Sequence, residues 1–138
     1  MFYRCSKLTG TIPPLPDGLT SGDSMFYECS NLTGNIPELP SNLTKGDLMF
    51  YKCSGLTGSI PTLPTRLSSG LSMFNGCSNL TVNSPVLPTK LTSGGYMFKG
   101  CSGLTGQTPI KPSGLRSYTK IFNGTQVTND GSWPSDAW

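Results

Sequence analysis

The chain has 138 residues with a net charge of +3, only 12% charged residues, 17 glycines, 12 prolines and no histidine. The absence of histidine excludes Ser–His and Cys–His nucleophilic schemes, and the scattered Lys and Arg residues lack the basic clustering of a nucleic-acid-binding surface. No apolar run approaches the roughly 20 residues of a membrane-spanning helix, so we expect neither a nucleic-acid partner nor a membrane span.

A 24-residue repeat organises the chain. The motif Met-Phe-Tyr-x-Cys at 1–5 returns at 25–29 and 49–53, and as Met-Phe-x-Gly-Cys at 73–77 and 97–101. A sixth copy begins in register at Ile121 and then decays. This period predicts a solenoid whose turns contact only their neighbours. The units are 1–24, 25–48, 49–72, 73–96 and 97–120, followed by 121–138, which we interpret as a degenerate sixth unit acting as a C-terminal cap or a junction.

The first unit illustrates the predicted elements in chain order. Apolar residues at positions 1, 2, 5 and 8 indicate one face of a short helical or 3₁₀ turn. Alternation over residues 8–12 predicts a short strand paired with the turns above and below. Pro13 and Pro16 lack amide donors and predict an extended, polyproline-like segment. Leu19 then re-enters the core, and Gly22, like its copies at 46, 70 and 94, is predicted to provide a turn with positive φ.

The columns of the repeat separate into fixed and variable positions. Met, Phe, Cys, Leu and Pro columns are nearly invariant between units, whereas the variable columns carry almost all of the charge. We therefore expect the fixed columns to face inward and the variable columns to face outward. The predicted fold is a repeat solenoid with parallel β-structure, short strands, 3₁₀ or helical turns and Pro-rich extended segments. Because Met1 occupies the same column as Met25 and Met49, we expect the chain to be a segment of a longer protein.

Five cysteines, Cys5, Cys29, Cys53, Cys77 and Cys101, share one column. Turns stacked at about 4.8 Å would bring neighbouring Cα atoms within disulfide reach, but parallel side chains are poorly oriented for a bond and the number is odd. Zinc needs four converging ligands, which a linear ladder does not supply. The favoured interpretation is a buried, reduced structural ladder. We predict no metal site and no cofactor.

Tyr3, Tyr27 and Tyr51 form the most promising binding column, which continues as Asn75 and Lys99. Exposed tyrosines offer a large contact area with a polar tip, which suits contact with sugars or proteins. The alternative is that the tyrosines stack between turns and stabilise the convex side of the solenoid.

Four Asn-x-Thr sequons, at Asn31, Asn42, Asn79 and Asn123, predict N-glycosylation acceptors in a host that glycosylates. The repeat generates most of these matches automatically, because Leu-Thr belongs to its core. Asp23 and Asp47 share a column that resembles a catalytic pair or a calcium ligand set, but a solvated turn is the favoured interpretation. We predict no catalytic residue.

The unit Met-Phe-Tyr-x-Cys-Ser-x-Leu-Thr-Gly-x-Ile-Pro resembles the BspA-like leucine-rich repeats of bacterial surface proteins, in particular the lipoprotein-type branch, over residues 1 to about 125. The segment 32–37, Leu-Thr-Gly-Asn-Ile-Pro, is also similar to plant-type leucine-rich repeats. The resemblance implies a leucine-rich-repeat-like parallel β-solenoid, an extracellular location at the cell surface, and adhesion to host proteins, glycans or other cells. The two fixed prolines depart from that pattern.

Two functions of different classes follow as expectations. The first is a surface recognition or adhesion module that binds a host or cell-surface protein or a glycan through its variable columns. The second is a structural spacer or fibre subunit, whose function is self-association by stacking. A contiguous exposed apolar patch would favour the first function, and repeated end-to-end contacts between copies would favour the second.

Overall fold

The fold is a parallel solenoid with a 24-residue period, seen in a computed structural model that describes residues 2–83 and 85–138. Four short strands, one from each of four successive units, form a parallel sheet in the order β1 (Gly34–Asn35), β2 (Leu56–Ser59), β3 (Leu80–Asn83) and β4 (Leu104–Thr105). Their registers pair Gly34 with Leu56, Gly58 with Leu80 and Val82 with Leu104. The predicted repeat solenoid is therefore confirmed in its parallel sheet and its period.

A second parallel ladder runs along another side of the stack and was not predicted. Single bridges join Ser21, Lys45, Ser69, Ser93 and Ser117 in one continuous line. The adjacent hydroxyl column reinforces this ladder: Thr44 Oγ1, Ser68 Oγ and Thr92 Oγ1 each donate at 3.0 Å to the carbonyl one unit earlier. The small polar residues of this column therefore satisfy backbone acceptors across the turns.

The segment from Gly22 to Leu32 folds as successive tight turns. Backbone N–H groups of Met25, Cys29 and Leu32 donate to carbonyls three residues earlier, at 3.0–3.2 Å. This segment also pairs with the next unit, since Phe26 N–H donates to Met49 O at 2.9 Å. Within the described residues, the one helix is a 3₁₀ helix, Ser135–Ala137, and no helix is long and apolar enough to cross a membrane.

The core consists of stacked columns. Phe50, Phe74, Phe98 and Phe122 are fully buried, and consecutive rings lie 5.7–6.2 Å apart and nearly parallel. Fully buried Met, Cys and Leu columns flank these rings, so each unit contributes the same side chains to a continuous apolar interior. A single unit could not bury these faces alone, and stacking is therefore what makes the core.

The prediction of positive φ at Gly22 and its copies is wrong. None of Gly22, Gly46, Gly70 and Gly94 adopts positive φ. A Cβ atom at Gly22 would lie 2.6 Å from Met49 Sδ, and one at Gly46 would lie 2.9 Å from Met73 Cε. These positions are therefore glycine because the methionine that begins the unit after the next one occupies the space of a side chain.

Positive φ occurs instead at three other positions of the unit. One of them holds glycine, at Gly10, Gly34, Gly58 and Gly106, and the other two carry side chains. Ser24 and its copies, which end with Lys120, have φ between 50° and 58°. Arg4, Glu28 and Lys52 have φ of 54–56°, and glycine takes over this second position in the later units. Side chains in this left-handed region are strained by contact with the backbone carbonyl.

Replacing Lys120 with glycine is therefore expected to stabilise the protein. Lys120 is exposed with φ of 50°, and its N–H bond to Asp136 O does not need the side chain. Relief of strain should raise the free energy of unfolding by about 0.5–1 kcal/mol, a rise of about 3 °C in Tm. Lys90→Gly, at an exposed position without positive φ, is the control and should lower Tm. A lower Tm for both Lys120→Gly and Lys90→Gly would contradict the conclusion that the backbone of Lys120 is strained.

Aromatic residues close the C-terminal end of the stack. Trp133 is buried, its ring meets Phe122 edge-on at 5.0 Å, and its Nε1–H donates to Pro109 O at 2.8 Å. Trp138 packs against the same phenylalanine at 5.5 Å. The segment 121–138 thus covers the last ring of the phenylalanine ladder with two larger rings.

Candidate functional site

The tyrosine column forms a ladder in which the ring faces contact each other. Tyr3 and Tyr27 stack at 4.7 Å between centroids, and Tyr27 and Tyr51 at 4.8 Å. Tyr3 is 53% exposed, whereas Tyr27 and Tyr51 are half-buried. Sugar recognition by tyrosine commonly uses an open ring face, and the inner rings of this ladder present only edges and hydroxyls. The arrangement supports cross-turn stacking over these three units.

A line of alternating charges accompanies the tyrosines. Glu28 lies 3.4 Å from Arg4 Nε and 3.4 Å from Lys52 Nζ. The Arg4 guanidinium also lies over the rings of Tyr3 and Tyr27, at 5.4 and 5.9 Å from their centroids. Arg4 and Lys52 are exposed and Glu28 is half-buried, so solvent screens these ion pairs and they contribute little to stability. The line organises the charges that lie beside the tyrosine rings in the first three units.

The cysteine column is a ladder of free thiols. Cys29, Cys53, Cys77 and Cys101 are buried, and Cys5 is half-buried. Each buried Sγ donates at 3.0 Å to the carbonyl of the phenylalanine in the preceding unit, as Cys53 does to Phe26 O. The thiol therefore satisfies a backbone acceptor as well as filling space. Among the described residues, no group of three or more His, Cys, Asp or Glu is arranged to hold a metal ion.

Burial changes the acidity of these thiols. Desolvation raises the pKa of Cys53 and of Cys101 to about 12, raises that of Cys77 well above its ordinary value, and raises that of Cys29 too. Because these folded-state pKa values lie above the unfolded value of 9.0, the stability they contribute is complete below about pH 9. It is lost as the pH rises towards 12.

We expect one fast-reacting thiol in the native protein at pH 8. A disulfide reagent such as DTNB attacks thiolates, and burial suppresses both the thiolate and its access. Cys5 should react within minutes, and the other four cysteines only after unfolding in guanidinium chloride. The variant Cys5→Ser should show no fast phase. Native labelling of four or five thiols at the rate of Cys5 would contradict the buried ladder.

Three of the four predicted glycosylation positions form cross-turn hydrogen bonds. The side-chain amides of Asn31 and Asn79 donate to carbonyls of the preceding unit, Asn79 to Ser54 O at 2.8 Å. Asn42 donates weakly to Asp17 O at 3.4 Å and accepts a bond from Arg66. Asn123 is half-buried. Attachment of a glycan at Asn31, Asn42 or Asn79 would replace one of these N–H donors.

The carboxylates of Asp23 and Asp47 accept hydrogen bonds from the turn of the following unit. Asp23 Oδ1 accepts from Asp47 N–H at 2.9 Å, and Asp47 Oδ1 accepts from Leu71 N–H at 2.8 Å and from Ser69 Oγ at 2.6 Å. Each carboxylate thus receives a backbone donor from the unit that follows. This arrangement resembles the structural use of aspartate at turns, not a pair poised for acid–base chemistry.

An apolar groove of about 440 Å³ lies between the third and fourth units. Its walls are residues 60–63 and 65 on one side and 85–89 on the other, and Val82 and Phe98 complete the lining. Val82 stands in the column of Gly10, Gly34 and Gly58, and its half-buried side chain packs against the core. The fourth unit therefore departs from the other units where the groove lies.

One wall of the groove carries the first member of an exposed apolar pair. Val86 on its wall is 79% exposed, and Ile110, one unit later in the same column, is 92% exposed. The equivalent residues in the earlier units are Pro14, Glu38 and Thr62. This site was not predicted from the sequence, in which the recurring tyrosines suggested a different surface. The sequence signal was the appearance of branched aliphatic residues in an outward column that holds Pro, Glu and Thr in the earlier units.

No family model, curated protein or solved structure matches this chain at a significant level. The candidate sites therefore rest on the geometry described above.

Proposed function

We propose that this chain is a cell-surface recognition module of the BspA-like leucine-rich-repeat type, and that it binds a protein ligand across the groove between its third and fourth units. The observation that carries the proposal is the exposed pair Val86 and Ile110 beside an apolar groove. Large aliphatic side chains exposed next to a concave apolar surface are typical of binding sites. Their column is outward and variable, so folding of the solenoid does not require them.

The chemistry of the groove favours a protein over a glycan. Its lining is mainly Ile, Leu, Val and Pro, with threonines at the margins. Glycan sites need several polar side chains that converge on hydroxyl groups, whereas apolar walls bind aliphatic or aromatic side chains of a polypeptide. The tyrosine column stays a second predicted surface, and it would bind through the hydroxyls and edges of Tyr27 and Tyr51 and the open face of Tyr3.

A fibre subunit is the alternative function. The regular stacking of the phenylalanine and tyrosine rings from unit to unit supports it, because stacking is then the function itself. Sedimentation velocity from 1 to 200 µM distinguishes the functions, because a fibre subunit grows into larger species with concentration and a recognition module does not.

A peptide display library together with a glycan array tests the proposal. The double variant Val86→Asp/Ile110→Asp places charges on the proposed site, and Thr57→Asp/Thr105→Asp adds the same charge at exposed strand positions elsewhere. We expect peptides selected on the native protein to bind the first variant at least tenfold more weakly and the control within twofold. Selected ligands that bind the native protein and the first variant equally would contradict the proposal.

A further inference from the structure

The charge of the chain is divided along its length. No aspartate or glutamate occurs between residues 48 and 129, whereas seven of the ten Lys and Arg residues lie there. The acidic residues are confined to the first 47 and the last nine residues. The groove between the third and fourth units therefore lies within a long acid-free region, although the net charge of the whole chain is only +3.

Two cationic residues follow wall residues of the groove in the sequence. Arg66 follows the wall residue Thr65, and Lys90 follows the wall residue Thr89 at the equivalent position one unit later. Both side chains are exposed. Arg66 Nη1 donates to the neutral amide oxygen of Asn42 at 3.0 Å, and within residues 2–83 and 85–138 neither cation forms an ion pair. Two positive charges therefore lie one residue beyond the wall residues, without a carboxylate partner in the described part of the chain, and we call these two positions the rim.

The walls also present backbone donors. Thr62 and Val86 are exposed, and in the described part of the chain neither backbone N–H donates to another backbone carbonyl. Pro61 precedes Thr62 on one wall, and Pro85 precedes Val86 on the other. Because proline lacks an amide donor, these two segments cannot form a regular hydrogen-bond ladder with each other. Such amides are solvated in the free protein and suit the carbonyl or carboxylate oxygens of an extended ligand.

We infer that the groove binds an acidic peptide segment that anchors one or two aliphatic or aromatic side chains between the walls. This inference rests on the proposed function and names its partner. A volume of about 440 Å³ fits one or two large side chains. Arg66 and Lys90 attract flanking carboxylates, which gives specificity against basic peptides and speeds association. Val86 and Ile110 extend the apolar contact along the ligand.

Fluorescence anisotropy with labelled nine-residue peptides tests the inference on the full chain. The first probe carries two leucines two residues apart among four glutamates, the second replaces the leucines by serine, and the third replaces the glutamates by lysine. We expect the first probe to bind, the serine probe at least tenfold more weakly, and the lysine probe at least thirtyfold more weakly. Equal binding of the leucine–lysine probe would overturn the inference, as would equal binding of the serine probe.

A matched pair of variants locates the charges. Arg66→Gln/Lys90→Gln is expected to weaken the first probe three- to tenfold at 50 mM salt and to remove most of its salt dependence. Lys7→Gln/Lys45→Gln makes the same change in net charge at exposed positions outside the acid-free region and should change binding less than twofold. Equal losses in the two variants would show attraction by net charge alone and overturn the assignment to the rim.

The two proposals fail separately. If no acidic probe binds, but library-selected peptides of another composition lose binding in Val86→Asp/Ile110→Asp, the groove is a recognition site and the acidic partner is wrong. If no selected ligand depends on Val86 and Ile110, the recognition site itself is wrong.

Discussion

Replacing Leu56 with aspartate is expected to unfold the central units of the solenoid. Leu56 begins β2, is fully buried, and pairs in register with Gly34 of the preceding unit. The variant loses about 1.5–3 kcal/mol of leucine burial and also places a carboxylate in an apolar interior. The combined loss exceeds about 4 kcal/mol and is a large fraction of the stability of a domain of this size.

Circular dichroism and thermal melting measure this effect. Thr57→Asp is the matched control, because Thr57 is the next residue of the same strand and its side chain is exposed. We expect Leu56→Asp to lose most of the cooperative transition and the control to melt within about 3 °C of the native protein. An unchanged melting curve for Leu56→Asp would refute the assignment of the leucine column to the core.

Truncating Phe74 to alanine is expected to cost about 3–5 kcal/mol. Phe74 is fully buried in the middle of the ladder, and its ring stacks on Phe50 at 5.7 Å and on Phe98 at 5.9 Å. Removing the ring leaves a cavity and ends two ring contacts together. Since each unit packs only on its neighbours, the break separates the units before it from those after it.

Guanidinium chloride denaturation provides the measurement, and Tyr27→Ala is the control. Tyr27 also stacks between two rings, at 4.7 and 4.8 Å, but it is half-buried. We expect its loss to cost about 1–2 kcal/mol, because its surface is already partly hydrated. Equal losses for the two variants would mean that ring stacking, not burial, dominates the stability of the ladders.

Much of the fold was predictable from the recurrence of a few side chains. The return of Phe and Cys every 24 residues predicted their inward columns, and Phe74 and Cys77 are fully buried. The strand predicted at positions 8–12 of the unit appears in β2 and β3. These features were accessible because an apolar column in a solenoid has one environment in every unit, so the sequence samples that environment several times.

The candidate groove was harder to predict because it depends on exceptions to the repeat. Val82, Val86 and Ile110 each differ from the equivalent residues of earlier units. Whether these differences create a groove depends on the distance between the segments 60–65 and 85–89, which the sequence does not give. The acid-free region from 48 to 129 is visible in the sequence, but its importance follows only when the structure makes Thr65 and Thr89, which precede Arg66 and Lys90, part of the groove walls. The tyrosine column was predicted as a binding surface because its tyrosines recur in three successive units. The same recurrence is expected when tyrosine rings stack between turns, as Tyr3, Tyr27 and Tyr51 do.

The period, the division into units and the identity of the inward columns therefore follow from the sequence alone, since they depend on the spacing of apolar residues along one chain. The role of Gly22 follows only from tertiary structure. Its identity is explained by Met49, whose Sδ lies 2.6 Å from where a Cβ atom of Gly22 would be, and not by its own dihedral angles. The second parallel ladder, which begins at Ser21, and the hydrogen bonds from the cysteine thiols to backbone carbonyls also follow only from tertiary structure. Each is a contact between units, and its geometry depends on how the turns stack.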